Sequence, residues 1–519
     1  MLFQAPTTSQ SFNEWLRTNS ENRLLLRLSA AIIIGQFLLF KFFYPFPNFM
    51  PPDSYSYLEA AFLNQMINIW AIGYSKFLRF FSSLTNSDLA LVWFQYILLE
   101  ASLLYFLFSA RFLLSLGKWL FRVLVALSIM NPMVSQISNF IGSDTLFTAL
   151  SIIWFTQLMW ILFRPNCRLL FWHAIVLFIA FTVRYNSLYY PIISIIVIVL
   201  SNLKTGLKWL SVGMITLLLG CFIVTTELAY RQETGYLQYS AFGGWQMAAN
   251  ALYGYAHTKP DSPENVPVKF RELHSIVNKQ IESISHIPDF LRPDHNVSVY
   301  YLWDFNSPLR LYMNEKWKKD STGTYFKHWA SMAPLYAEYG RYLILHHPIP
   351  FTKYFLWPNL IKYYSPPLGF MGSYNLKNEQ VDPIAAKWFG WNSNKISTRF
   401  KGKDIDVIKP FPIIIAVSNL IFALSFIGFI MLGGMKRSGH YIKRLLWWIF
   451  LIWLSNMLFS VFSAPIELRY QLFPILVTLF FLIILLSFII EKSRTVNEKI
   501  VHSNETLSTA TPSQYEIRI

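Results

Sequence analysis

Five charged residues of this chain stand at the ends of apolar segments, where ionisable side chains are costly and tend to mark function. They are Asp53, Asp144, Arg184, Glu467 and Arg469. A carboxylate can act as a general base toward a hydroxyl group, and arginine is well suited to the oxygens of a phosphate. Charges also collect at helix ends for structural reasons alone, so the set indicates function only if its members share one face of a membrane.

Composition places these residues in a membrane protein. The 519 residues are 54% hydrophobic and 14% charged, with a mean hydropathy of +0.37, which is unusual for a soluble domain. Continuous apolar runs of about 20 residues predict an all-α polytopic membrane protein rather than a β-barrel, whose strands alternate over about ten residues. The net charge of +16 comes from basic loops between these runs, and no motif for binding nucleic acid is present, so no nucleic-acid partner is expected.

The apolar runs predict about ten transmembrane helices, between a cytoplasmic N-terminus (1–27) and a cytoplasmic, disordered tail (491–519). The predicted spans are 28–46, 89–109, 121–140, 145–163, 169–183, 188–202, 209–227, 411–433, 445–463 and 471–490. Every short loop that this topology places inside carries Lys or Arg, in agreement with the positive-inside rule. The run 169–202 is interpreted as two helices, because one helix would carry Arg184 to mid-membrane, and a single tilted helix is the alternative.

Two polar segments fall on the outer side of this topology. The predicted regions are a membrane core (28–227), a mostly helical extracytoplasmic loop domain (228–410) and C-terminal membrane helices (411–490). The first outer loop, 47–88, contains the amphipathic stretches PDSYSYLEAAFLNQMINIW and GYSKFLRFF, which predict two interfacial helices. If the first of these helices begins at PDSYSY, Asp53 and Tyr57 lie on one face at i, i+4.

Four motifs follow one another on the outer side of the predicted topology. They are PDSYSY with Asp53, GSDTLF with Asp144, RYN with Arg184, and ELRYQLFP with Arg469, Tyr470 and Pro474. In order and sidedness they resemble the GT-C superfamily of membrane glycosyltransferases. The nearest resemblance is to glycosyltransferase family 39, the branch of the protein O-mannosyltransferases and the lipid A aminoarabinose transferases. The chain departs from that branch at Ser54, where many members carry a second carboxylate, and in the loop 228–410.

The resemblance implies a glycosyltransferase that moves a sugar from a polyprenyl-phosphate-linked donor to a protein, lipid or glycan acceptor, usually with inversion. On this interpretation Asp53 is the catalytic base, and Arg184 and Arg469 bind the donor phosphate. Asp144 either positions the acceptor or a cationic partner, or it only caps the fourth membrane helix.

Four further residues are predicted to support the site. Tyr57 and Tyr470 lie within the motifs themselves. Lys76 and Arg79 are reserve phosphate ligands, and the amphipathic pattern explains them equally well as interfacial cations. No cofactor is expected, and the sequence does not support a divalent metal site. The expected partners are the donor lipid, the acceptor and the surrounding membrane lipids.

The predicted location is the bacterial inner membrane, with both termini cytoplasmic, and an endoplasmic reticulum membrane is the alternative. One alternative function is a transporter or flippase of lipid-linked glycans, although such proteins often show repeated halves and helices broken at mid-membrane. Another is an O-antigen ligase or polymerase, which usually relies on arginine and histidine in a large outer loop.

Overall fold

The structure is a computed structural model of the chain. It describes residues 10–320, 323–400, 402–437 and 439–508. Within these ranges the regular structure is helical, and β-pairing is limited to isolated bridges such as that between Asn48 and Phe140. The predicted all-α architecture is therefore confirmed for the described part of the chain.

The first part of the chain forms a bundle of apolar helices interrupted by shorter ones. The helices are α1 (Phe12–Thr18), α2 (Ser20–Phe43), α3 (Asp53–Phe62), α4 (Gly73–Ser82), α5 (Asp88–Leu114), α6 (Lys118–Ile129), α7 (Pro132–Ser138), α8 (Ser143–Phe163), α9 (Cys167–Val183), α10 (Tyr190–Leu200) and α11 (Thr205–Thr234). The side chain of Asn131 caps α7 by accepting from the N–H of Met133 at 3.0 Å, and Pro132 takes the first helical position. Proline cannot continue the preceding helix, so the span predicted over 121–140 is present as one apolar segment, Lys118–Ser138, that is broken into α6 and α7.

The polar segment 228–410 folds largely as shorter helices. Its buried apolar residues from Tyr230 to Phe355 form a second core, whereas those from Met371 to Ile408 belong to the core of the apolar helices. The helices are α12 (Ala241–Tyr255), α13 (Arg271–Ser285), α14 (Tyr300–Trp303), α15 (Pro308–Trp317), α16 (Tyr325–His346), α17 (Pro348–Phe351), α18 (Trp357–Tyr364) and α19 (Pro383–Phe389). Within the second core α12 crosses α16, and the rings of Trp245 and Trp329 stack at the crossing with their centroids 5.2 Å apart. Gly244 allows the two backbones to approach, since a Cβ at that position would lie 2.1 Å from the carbonyl oxygen of Ala333.

The C-terminal part returns to long apolar helices. These are α20 (Phe411–Met431), α21 (Gly434–Arg437), α22 (His440–Ser463) and α23 (Leu472–Ser508). The prediction of a disordered tail from 491 is wrong as far as Ser508, because a helix that is already nucleated extends at little cost into helix-forming residues such as Glu491 and Lys492. The remaining tail, 509–519, lies outside the described residues.

By length and composition the protein is a polytopic helical membrane protein. Within the described ranges, eight helical segments are long and apolar enough to cross a membrane: Ser20–Phe43, Asp88–Leu114, Lys118–Ser138, Ser143–Phe163, Thr205–Thr234, Asp406–Met431, Lys443–Ser463 and Leu468–Ser493. The shorter apolar helices α9 and α10 occupy the two remaining predicted spans. The first segment begins at Ser20 rather than at residue 28, and the number of helices that actually cross a membrane stays a prediction.

The apolar run that contains Arg184 forms two helices, as predicted. α9 ends where Arg184 adopts an extended backbone with φ −151° and ψ 144°, and a short 3₁₀ turn, Tyr185–Tyr189, follows. The chain then doubles back, because Nε2 of His173 in α9 lies 3.0 Å from Oγ of Ser194 in α10. Arg184 is therefore at a helix end and not within a membrane helix.

Charged residues collect at two separate ends of the helical bundle. At one end, where α2 begins and α5 ends, Glu21 forms ion pairs with Arg111 at 3.0 Å and with Arg122 at 3.1 Å. At the other end α2 leads toward α3, and the start of α8 meets the end of α9 through an ion pair between Asp144 and Arg184. The charged residues predicted to lie on the cytoplasmic side and those predicted to lie on the outer side thus form two separate clusters.

Candidate active site

Asp53 is the first residue of α3 and is 8% exposed. Its position in the first helical turn favours a negative charge, because the free N–H groups of a helix point toward its N-terminus. Ser54 fixes this turn: its hydroxyl accepts from the N–H of Met50 at 2.8 Å and donates to the carbonyl of Ile141 at 2.6 Å. The serine that replaces an expected second carboxylate therefore joins α3 to the segment leading into Asp144.

Asp144 lies in the first turn of α8 and forms ion pairs with both predicted arginines. It accepts a hydrogen bond from Arg184, and its Oδ2 is 3.6 Å from Nη1 of Arg469. The helix is capped at Gly142, so the alternative that Asp144 only caps the fourth membrane helix is wrong. Asp144 is 3% exposed, and a carboxylate that deeply buried needs a paired cation.

Arg469 connects the acidic residues of the site. Its Nη1 lies 2.9 Å from Oδ2 of Asp53, and its Nε lies 2.8 Å from Oε2 of Glu467. The ring of Tyr470 is 4.5 Å from the guanidinium of Arg469 and 5.0 Å from that of Arg184. Both cations therefore contact one aromatic ring, which holds them close together despite their like charge.

The polar segment 228–410 also contributes to the placement of Arg469. Gly369 adopts a left-handed backbone with φ +53°, and a Cβ there would lie 2.6 Å from Cδ of Glu467. The ring of Phe370 lies 5.2 Å from the guanidinium of Arg469. A glycine is required at position 369 both for the backbone conformation and for the close approach of Glu467.

These residues border a cavity of about 350 Å³. Five of the eight predicted site residues line it: Asp53, Tyr57, Arg184, Arg469 and Tyr470. Asp53 and Tyr57 present the shared face of α3 that the i, i+4 spacing predicts, and the hydroxyl of Tyr57 is 3.0 Å from Oγ of Ser143. The structure thus brings the motifs from four distant parts of the chain together, while their roles stay predictions.

Burial raises the pKa of the Asp53 carboxyl above its ordinary value, because removal from water disfavours the charged form. The nearby Arg469 lowers this pKa, but it offsets only part of the effect of burial. A carboxylate with a raised pKa is a stronger base than an exposed aspartate, which suits proton abstraction near neutral pH.

Two of the predicted supporting residues do not line the cavity. Lys76 donates from Nζ to Oδ1 of Asn64 at 2.9 Å, and Arg79 donates from Nη1 to the carbonyl of Ala61 at 3.1 Å. Arg79 thereby satisfies a carbonyl at the C-terminal end of α3. Their contacts favour the interpretation of both residues as cations on the surface of α4.

Several residues of the site had no predicted role. Glu467 was named among the charged residues at the ends of apolar segments but was given no role, although it stands two residues before Arg469 in the same motif. Ser143 and Gln471 flank predicted residues, so proximity in sequence could have indicated them. Gln246 and Asn250 line the cavity from α12. Their i, i+4 spacing places them on one helix face, but nothing in the sequence indicates that this face meets the motifs.

Comparison with known proteins gives no relative from which a role for these residues could be inferred. Comparison of the chain with protein-family models, curated proteins and solved structures finds no match. Among the residues that the structure describes, no group of three or more His, Cys, Asp and Glu side chains is arranged to hold a metal ion. Function is therefore inferred from the charges, distances and shape of the cavity.

Proposed function

We propose that the protein is an integral-membrane glycosyltransferase that moves a sugar from a polyprenyl-phosphate donor to an acceptor hydroxyl of a protein, lipid or glycan. The observation that carries this proposal is the convergence of a buried carboxylate, Asp53, and two arginines, Arg184 and Arg469, on one cavity. The distribution of loop charges favours the extracytoplasmic face of a bacterial inner membrane for this site, with both termini cytoplasmic.

In the proposed reaction the acceptor oxygen attacks the anomeric carbon of the donor sugar. A glycosidic bond forms while the bond between that carbon and the phosphate oxygen breaks, and Asp53 takes the proton of the acceptor hydroxyl. The electron pair of the broken bond stays on the leaving polyprenyl phosphate, where Arg184 and Arg469 stabilise the added negative charge. Attack opposite the phosphate inverts the anomeric centre.

The ion pair between Asp53 and Arg469 gives donor binding a second effect. The 2.9 Å contact occupies an N–H of Arg469 that a phosphate would also use. A bound phosphate therefore competes with Asp53 for this cation and weakens the interaction that lowers the pKa of the carboxyl. On this proposal Asp53 becomes a better base only when the donor is in place.

One wall of the cavity supports a donor with a hydrocarbon chain. Phe459 and Phe462 line the cavity from α22, whose apolar part is long enough to cross a membrane. The side chain of Phe462 is 43% exposed. An apolar helix that borders both the cavity and the surface provides a path along which a polyprenyl chain can lie while its phosphate reaches the arginines.

Asp53→Asn tests the proposal directly. It keeps the shape of the side chain but removes the base, so transfer should fall by about 10²–10⁴-fold, the usual contribution of general base catalysis. Transfer is measured in membranes supplied with a panel of radiolabelled polyprenyl-phosphate sugars. Wild-type activity should also fall as the pH drops through the raised pKa of Asp53, at a higher pH than for an exposed aspartate.

Glu59→Gln is the matched control, because Glu59 is an exposed acid on the same helix. Its activity should equal that of the wild type. Undiminished transfer by the Asp53→Asn protein would remove Asp53 from the mechanism. Movement of a lipid-linked sugar across reconstituted vesicles without product would instead support the transporter alternative.

A further inference from the structure

Residues 348–364 form one helix that leaves the second core and reaches the bundle of apolar helices. A π turn, Thr352–Leu356, joins α17 to α18 within it. Near its start Phe355 packs in the second core, whereas Asn359 and Tyr363 near its end form hydrogen bonds with α22. The last two turns of this helix therefore belong to the apolar bundle, although they lie within the segment 228–410 that was predicted to be outside the membrane.

Hydrogen bonds show how far the last two turns extend along α22. The side chain of Asn359 donates to two carbonyls at the end of α22, at 2.7 and 2.9 Å. One turn further on, the hydroxyl of Tyr363 donates to Oδ1 of Asn456 at 3.0 Å. Asn456 stands seven residues (463 minus 456) before the last residue of α22, Ser463, which is about 10 Å along the helix axis. The helix thus ends beside a part of α22 that is long and apolar enough to cross a membrane.

The chain then reverses direction at residues 365–367, where neighbouring helices satisfy its backbone carbonyls. Nδ2 of Asn419, eight residues after the start of α20, donates to the carbonyl of Tyr364 at 2.9 Å. The N–H of Leu468 donates to the carbonyl of Pro367 at 2.8 Å. The two prolines of this turn have no N–H group to satisfy. Non-helical backbone at membrane depth needs such partners, because hydrocarbon supplies none, so the turn is suited to a re-entrant segment.

The exposed side of the last two turns is apolar. Trp357 is 60% exposed and Ile361 56%, and with Tyr364 they share one helix face through their i, i+4, i+7 spacing. The buried side instead carries the hydrogen-bonding side chains of Asn359 and Tyr363. A helix in water has the opposite arrangement, with apolar residues buried and polar residues exposed. Tryptophan and tyrosine are enriched where proteins meet the membrane surface, so the exposed face is suited to lipid.

Two neighbouring features agree with a lipid contact. The apolar face adjoins α20, whose Val417 and Leu420 are half-exposed apolar residues of a helix long enough to cross a membrane. Lys362 is the only charged residue in the sequence 354–370. Its Nζ donates to the carbonyl of Val297 in the polar segment. A lysine at the edge of hydrocarbon extends toward polar groups in this way.

We propose that residues 357–367 form a re-entrant segment that enters the membrane leaflet on the side of the cavity. Trp357, Ile361 and Tyr364 contact the acyl chains of the membrane lipids there. The chain then leads directly to Phe370, whose ring lies against the guanidinium of Arg469. The lipid contact therefore anchors the polar segment to the membrane beside an arginine of the cavity.

The test measures the depth of a spin label in the full-length protein. The free cysteines Cys167 and Cys221 are replaced by serine, and Ile361→Cys carries a nitroxide label in vesicles of phosphatidylethanolamine and phosphatidylglycerol. Molecular oxygen concentrates in hydrocarbon and a nickel chelate in water, so the ratio of their collision rates with the label reports its depth. This ratio at position 361 should approach that of a label at Leu420→Cys in α20.

Ile349→Cys is the matched control, because Ile349 is an exposed apolar residue of the same helix, about 18 Å earlier along its axis. The ratio at position 361 should exceed that at position 349 several-fold. Equal ratios at the two positions would place the apolar face in water and overturn the proposal. A label at 361 that is shielded from both reagents would also overturn it, because a protein partner would then cover the face.

A charge substitution provides a second measurement. A carboxylate in hydrocarbon is costly, whereas the same substitution on a water-exposed helix changes stability little. In the same vesicles the thermal midpoint of Ile361→Asp should fall below that of the wild type, and that of Ile349→Asp should not change. Equal midpoints of the two variants would contradict the lipid contact. The proposed transferase is tested separately by Asp53→Asn and does not depend on these results.

Discussion

A single methyl group at the crossing of α12 and α16 should loosen the second core, which is formed mainly by residues 230–355. In Gly244→Ala the new Cβ would lie 2.1 Å from the carbonyl oxygen of Ala333, whereas ordinary contact begins at 3.4 Å. The deficit of 1.3 Å (3.4 minus 2.1) is against backbone, so a side-chain rotation cannot relieve it. The two helices must move apart, at the point where Trp245 and Trp329 stack.

The expected loss of stability follows from two opposing effects. Overpacking of a close contact costs about 1–3 kcal/mol, and a clash against backbone belongs at the upper end of this range. The higher helix propensity of alanine returns about 0.5–1 kcal/mol. Gly244→Ala should therefore destabilise the segment by about 2 kcal/mol, which lowers a melting midpoint by about 2–4 °C per kcal/mol in a unit of roughly 150–250 residues.

The assay is thermal unfolding of the purified protein in detergent, followed by tryptophan fluorescence. Gly243→Ala is the control, since its Cβ would meet only Oγ of Ser240 at 3.9 Å. This neighbour should be as stable as the wild type or more stable by up to about 1 kcal/mol, because the same gain in helix propensity meets no clash. If the Gly244→Ala protein melted at the same temperature as the Gly243→Ala protein, the expected clash between the backbones of α12 and α16 would be wrong.

Two further predictions concern the site itself. Asp144→Asn removes the carboxylate that is paired with Arg184. Breaking a buried ion pair costs about 3–5 kcal/mol, and we expect a loss of stability of this size. An unchanged midpoint in thermal unfolding would contradict this prediction. Gly369→Ala should cost about 1–2 kcal/mol of backbone strain and also displace Glu467. On the proposed function this displacement should raise the KM for the donor. Gly390→Ala shares the left-handed strain at φ +68° but has nothing within 4 Å, so its KM should not change, and equal KM values in the two variants would exclude a role for Glu467.

Much of the helical framework could be predicted because it depends on local pattern. Apolar length defined the spans, and the cost of a mid-membrane arginine correctly divided the run around Arg184. The break at Asn131 and Pro132 was missed, although a capping residue followed by proline is itself a local signal. The start of α2 at Ser20 was missed because its first turns are polar and carry no hydropathy signal.

The site could be predicted only as far as its motifs extend. The sequence around Asp144 suits a helix cap and an ion pair equally, and only the fold, which brings Arg184 beside it, distinguishes the two. Contacts between segments far apart in the chain, such as Gly369 with Glu467, leave no local pattern. The same holds for the face of α12 that lines the cavity.

The link that Ser54 makes between α3 and Ile141 has a consequence for how the site can move. The backbone strengthens this link, because the N–H of Ile141 donates to the carbonyl of Asn48 at 3.0 Å. Asp53 and Asp144 thus lie on two segments that are joined directly by hydrogen bonds. On the proposed function, an opening that admits a donor lipid is expected to displace Arg184 and Arg469 relative to the two acids, because this link holds the acids together.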